Sequence, residues 1–148
     1  MKDRIILLAV SGLLSLITGC ASSKQYVHFP DQNKAIENPE LARIYVVRPT
    51  ADVAAVSMKI SDGDNAIGTT GPKGFLCWER IPGSATIIST DWGKTNSISK
   101  LALHTAKGHV YYIQQNVRLG VLKAHHEFTL LSEEDGKAIV SKCNPPKE

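Results

Sequence analysis

Cys20 is the residue in this chain best placed to undergo chemistry. It follows Ile17, Thr18 and Gly19, an aliphatic, a small polar residue and a glycine. Small side chains let an extended backbone enter a protease groove, and a thiol is a strong nucleophile once ionised. These residue types make Cys20 a candidate for covalent chemistry. Histidine is the second reactive type, because the neutral imidazoles of His104, His109, His125 and His126 could bind zinc or copper. Their spacing specifies no metal site, and neighbours such as His125 and His126 point to opposite faces of a strand. Solvent-facing or edge-strand positions are therefore expected, with no metal assigned. Serines are many, yet neither a glycine–serine elbow nor a phosphate-cradling loop occurs. Cys77 beside Trp78 lies in an apolar run that discourages thiol reactivity. No catalytic residue is assigned, and the expectation is a protein that is not an enzyme.

The elements around Cys20 support its reading. Lys2 and Arg4 form a basic start, and Ile5 to Ile17 is apolar apart from Ser11, Gly12 and Ser15. This is the layout of a secretory signal peptide over residues 1–19. A membrane-spanning helix needs ~20 consecutive apolar residues, so this core is too short to span. Ile17-Thr18-Gly19-Cys20 resembles the lipobox of bacterial lipoproteins. The resemblance implies diacylglycerol on the Cys20 thiol, cleavage between Gly19 and Cys20, and an acyl chain such as palmitate on the new amine. Two or more chains anchor a protein stably, at ~0.8 kcal/mol per buried CH₂. Ala21 and Ser22 follow in place of aspartate, and by the same resemblance this favours the periplasmic face of the outer membrane.

Taking 19 residues from 148 leaves 129, enough for one domain and too few for two comfortable cores. Losing Lys2, Arg4 and Asp3 turns 17 basic and 14 acidic side chains into 15 and 13. So small an excess argues against nucleic acid as a partner. Of the three cysteines, Cys77 and Cys143 remain in a compartment where disulfides persist. A Cys77–Cys143 bridge, closing a loop of ~66 residues, would stabilise the fold by about 4 kcal/mol in the chain-entropy model. The alternative is a buried Cys77 packing as a small hydrophobe, with Cys143 free.

Residues 20–40 are polar, with Pro30 and Pro39 and no periodicity, and read as a lipidated cysteine followed by a flexible tether. Residues 41–148 read as a β domain. Strands are expected at Arg43–Arg48, at Val56–Ile60 with its alternation of apolar and polar residues, and at Ala66–Thr70 and Phe75–Ile81. Others are expected at Ala85–Thr90, Ser97–Thr105, Val110–Ile113 and Glu127–Leu131. Turn residues separate them every ~8 to 12 residues, which predicts a mainly β fold, an antiparallel β-sandwich or barrel of seven or eight strands. Ser132 with Asp135 forms a capping signal for a short C-terminal helix, in which Gly136 costs ~1 kcal/mol relative to alanine.

The run Ala42-Arg43-Ile44-Tyr45-Val46-Val47-Arg48-Pro49, then Ile67-Gly68, Ile81-Pro82-Gly83 and Gly108-His109-Val110-Tyr111-Tyr112-Ile113, resembles a bacterial lipoprotein family catalogued only as a domain of unknown function (family 2846). The resemblance covers Leu41 to Leu131. It implies a compact β-sandwich, PEGA- or transthyretin-like, with no established catalytic residues. Among the aromatics, Trp92 lies between Asp91 and Gly93 in an expected loop, where a large ring needs a pocket or a partner. Trp92, His125 and His126 are therefore the candidate ligand or partner surface. The expected function is a non-enzymatic, lipid-anchored cell-envelope module. It would meet the membrane through its anchor and bind an envelope protein or a polysaccharide. Alternatives are a small periplasmic metal or ligand binder using the histidines, and an inhibitor of a hydrolase such as lysozyme.

Overall fold

The computed structural model describes residues 22–53, 56–91, 97–121 and 124–147. Gly19, Cys20 and Trp92 lie outside them. Nine strands and one helix follow in order: β1 (Lys24–Gln25), β2 (Ala42–Arg48), β3 (Met58–Asp62), β4 (Asn65–Thr70), β5 (Gly74–Arg80), β6 (Gly83–Asp91), β7 (Ile98–Thr105), β8 (Val110–Leu119), β9 (Ala124–Leu131) and α1 (Glu133–Val140). They form a five-stranded sheet, β1-β4-β3-β6-β7, and a four-stranded sheet, β5-β2-β8-β9. The mainly β sandwich with a C-terminal helix is as expected. One pairing departs from the antiparallel rule: β2 and β8 run parallel, with Val46 opposite Ile113.

Alternation within β2 explains the layering. Ile44 and Val46 join Leu76, Trp78 and Ile113 of their own sheet and Ile60, Ile67, Ala85 and Ile87 of the other in one buried cluster. This is the core between the sheets. A buried polar relay also crosses from sheet to sheet. The Thr70 hydroxyl donates to Gln115 Oε1 at 2.5 Å, and Gln115 Nε2 donates to Ser89 Oγ at 2.7 Å. Tyr45 and Val47 point the other way, into a second cluster with Phe75, Cys77 and Tyr112. That face is roofed by Phe29 from the N-terminal segment and by Ile139 and Val140 of α1. The four-stranded sheet is thus covered on both sides, and every residue of β2 is buried.

The helix ends as its sequence predicts and packs as it does not. Ser132 Oγ accepts from Asp135 N at 3.1 Å, closing the N-cap. Gly136 is buried because it lies against the ring of Tyr112: a Cβ there would come within 2.1 Å of the Tyr112 Cγ. Glycine in mid-helix is therefore a packing requirement of the α1–β8 contact, worth more than the propensity it sacrifices.

The flexible tether expected over residues 20–40 is corrected by the structure. From Ser23 onward the segment is built into the fold. β1 pairs with β4, Lys24 opposite Thr69. The Gln25 side chain acts as a surrogate peptide on the edge of β5, donating to Cys77 O at 2.6 Å and accepting from Cys77 N at 3.0 Å. The C-terminal segment completes that edge, since Phe75 N donates to Asn144 O at 3.1 Å and Lys147 N to Ser23 O at 2.9 Å. An exposed strand edge is a row of unpaired peptide groups, and both terminal segments are recruited to cover it. Composition could not show this, because the attachments are polar and distant in sequence.

Candidate ligand-binding cleft

The outer face of the four-stranded sheet holds a cleft of about 480 Å³ between residues 32–35 and α1. Its floor comes from successive strands. Tyr45 of β2 stacks on Tyr112 of β8, ring centroids 5.0 Å apart and planes within 10°, and leans on Phe75 of β5 at 5.9 Å. Neighbouring strands place such rings side by side, which is why three aromatics from distant sequence positions meet here. Lys34 stands on one wall, and Lys137, Glu133 and Cys143 on the other.

The wall carrying Lys34 is held by a buried ion pair. Arg43, whose side chain is fully buried, donates to Glu79 Oε1 at 2.8 Å and uses Nη1 to reach Asp31 O at 3.1 Å and Lys34 O at 2.6 Å. Glu79 Oε1 in turn accepts from Glu37 N at 2.7 Å. Tyr45 adds its hydroxyl, donated to Gln32 Oε1 at 2.8 Å. The opposite wall is tied by Lys137 to Glu133 one helical turn away, which holds the Glu133 carboxyl below its ordinary value.

Burial dominates the titration of this face. It pushes the Cys77 thiol up to about 11, and raises the Tyr45 and Tyr112 hydroxyls and the Cys143 thiol above their ordinary values. A protonated thiol is a poor nucleophile. Neutral tyrosines beside an aromatic floor and a charged rim suit the binding of an amphipathic group. The volume falls within the ~300 to 1,000 Å³ of small-molecule sites.

The residues picked out from sequence are placed differently. His125 and His126 of β9 line a separate hollow of about 180 Å³ with Asn116, Arg118 and Glu127, below the usual size for a ligand site. Their registers, His125 opposite Arg118 and His126 opposite Val117, turn them to opposite faces. Burial lowers the pKa of His126, whose ring faces Ser97 and Asp91. His104 pairs with Ser84, on the edge strand β7 of the other sheet. Among the described residues no three His, Cys, Asp or Glu side chains are grouped as a metal ion would require. The candidate Cys77–Cys143 bridge is corrected: both are free thiols that share the outer-face cluster, Cys77 buried and Cys143 half-buried. Cys77 packs as a small hydrophobe, the alternative weighed above.

No family model matches the chain. It is similar to an uncharacterised protein of Haemophilus influenzae, 27% identical over 139 residues that cover 92% of this chain and 81% of that protein. The cleft residues Gln32, Lys34, Tyr45 and Phe75 were not singled out from sequence. Only the opposition of Tyr45 to Ile44 and Val46 along β2 hints at a second buried face. What covers that face is encoded far away, in the 31–37 segment and in α1.

Proposed function

We propose that this chain is a lipid-anchored lipoprotein of the cell envelope, exported by residues 1–19 and held to the periplasmic face of the outer membrane by acyl chains on Cys20. Its sandwich is a non-enzymatic binding module for an envelope protein or a polysaccharide. The observation that carries the anchor is the succession of basic start, short apolar core and Ile17-Thr18-Gly19-Cys20. The observation that supports binding is the aromatic cleft, whose two walls are pinned from both ends of the chain.

Cells fed an alkyne-bearing fatty acid test the anchor. The wild-type protein takes up the label and sediments with membranes, and Cys20→Ser abolishes both labelling and cleavage after Gly19. Equal labelling of the two would remove the anchor reading. For the cleft, photo-crosslinking from position 34 in intact cells should capture an envelope component. Lys137→Ala combined with Glu133→Ala should weaken that capture without unfolding the domain, and capture that ignores the double substitution would move the binding surface elsewhere.

A further inference from the structure

The two ends of the sandwich expose different things. At the end where β2 finishes, the β8–β9 hairpin runs on past β2, its base covered where Val53 and Met58 pack around the buried Val117. Val47 is level with Gln114 in the parallel register, so Asn116 to Leu119 continue past the last residue of β2. Only the last two residues of β8, Arg118 and Leu119, are exposed, and at ~3.3 Å each they carry the hairpin about 7 Å outward. Its tip is apolar and in water: Leu119 is 72% exposed and Val121 is 100% exposed. Among the described residues the tip comprises Leu119, Gly120 and Val121, next to Arg118, which is paired with Glu127 at 3.5 Å. Isolated apolar residues on a surface are ordinary, whereas a projecting apolar tip invites burial.

The chain also enters the domain at this end. Ser23 is buried there, its Oγ accepting from Gly71 N at 3.0 Å. Gly74 permits this approach, because a Cβ would fall 2.1 Å from the Ser23 hydroxyl. Lys24 bridges to Lys147, and Gly74 bridges to Asn144. The stretches 22–25, 71–74 and 141–147 thus converge, and they contain four exposed lysines, Lys24, Lys73, Lys142 and Lys147, and no aspartate or glutamate. One exposed acid, Asp52, shares this end, two residues after the Thr50 whose carbonyl accepts from Lys73 N at 3.3 Å, so the lysines are in excess. At the opposite end Ile81 is exposed, and Lys107 is paired with Glu40 at 3.2 Å.

Cys20 is three residues before Ser23, so the connecting backbone spans at most ~10 Å. That leash is long enough to bring the acylated residue and the hairpin tip to one surface. The geometry points to this end being a bilayer-facing surface: Leu119 and Val121 enter the boundary between headgroups and acyl chains, while Lys24, Lys73, Lys142 and Lys147 meet anionic headgroups. The inference rests on the anchor reading and deepens it. A domain leashed this closely is held in one orientation, with the aromatic cleft on its flank and Lys107 at its far end. Charge selects lipid over protein as the occupant, since clustered lysines beside an apolar tip match a negatively charged interface.

The test uses the full acylated chain reconstituted into vesicles of phosphatidylcholine, with or without phosphatidylglycerol. Lysines are labelled with an amine-reactive reagent and read by mass spectrometry, which also reports the acylated Cys20 peptide. In vesicles containing phosphatidylglycerol, Lys24, Lys73, Lys142 and Lys147 should react at least about fivefold more slowly relative to Lys107. High salt should restore the rate. Emission from V121W should be quenched by brominated acyl chains well beyond the quenching of the wild type. Acylated, vesicle-bound protein whose four lysines react like Lys107 and whose V121W emission is unquenched would overturn the inference while leaving the anchor intact. Absence of the acylated peptide would instead remove the anchor reading, and this inference with it.

Discussion

The two faces of the four-stranded sheet are built on opposite principles. The inner face around Ile44, Val46 and Ile113 is hydrocarbon meeting hydrocarbon across two regular sheets, with the Thr70–Gln115–Ser89 relay beyond it. The outer face, around Tyr45, Cys77 and Tyr112, is covered by a loop segment and a two-turn helix, which bring few apolar side chains of their own. Its roof is consequently fastened by polar contacts: Arg43 to Glu79 and two carbonyls, Tyr45 to Gln32, Gln25 to the Cys77 backbone. Burial by packing needs only area, whereas burial under a loop needs specific attachments. The hydrocarbon part of the inner face should therefore respond chiefly to lost volume, and the outer face to charge, shape and pH.

The largest effect expected is on the inner face. Ile44→Ala leaves a cavity between the sheets and should cost about 4 kcal/mol in denaturant unfolding, with no change in how the 31–37 segment is held. Glu79→Gln strands the buried Arg43 guanidinium and should cost about 3 kcal/mol. Unlike Ile44→Ala, it should also open the roof locally, so that trypsin cuts after Lys34 before global unfolding. Loss of stability without faster cleavage at Lys34 would mean that the ion pair does not hold that segment.

Gly136→Ala is the shape test of the same face. Alanine raises helix propensity, yet its Cβ would meet the Tyr112 ring, and the net effect should be a loss of about 2 kcal/mol. A gain in melting temperature would refute the packing role of Gly136. The smallest effect concerns pH. Burial raises the Cys77 thiol to about 11, while the unfolded chain ionises near the ordinary value of 9.0. The protonated thiol favours the folded state, so this contribution is intact below pH 9 and is lost as pH climbs to about 11, with a slope approaching ~1.4 kcal/mol per pH unit. Cys77→Val should flatten the decline between pH 9 and 10, before the tyrosines join. Ile44→Ala should leave it unchanged.

Strands were legible where one face is buried and the other is marked by alternation, as in Met58-Lys59-Ile60, or where turn residues bound a β-branched run, as in Ala85 to Thr90. Ser132 announced the helix start because capping is local. The 20–40 segment was misread because its order depends on Gln25 and Arg43 reaching partners more than 30 positions away. The cleft was hidden for the same reason: Tyr45, Phe75 and Tyr112 are separated by long stretches of chain and meet only once β2, β5 and β8 are aligned.

Sequence alone determined the β character of the domain, the apolar and polar faces of alternating strands such as β3 and the capped final helix, because these follow from nearest-neighbour sterics and short-range periodicity. It also supplied the expectation of an exported, acylated N-terminus. Tertiary structure alone decided that β2 and β8 run parallel, that both chain ends seal one edge and that the cysteines stay unpaired. Only in the folded chain do an apolar hairpin tip and four lysines share the end where the chain enters. Those outcomes depend on contacts between residues distant in sequence, whose energies exist only once the sheets have formed.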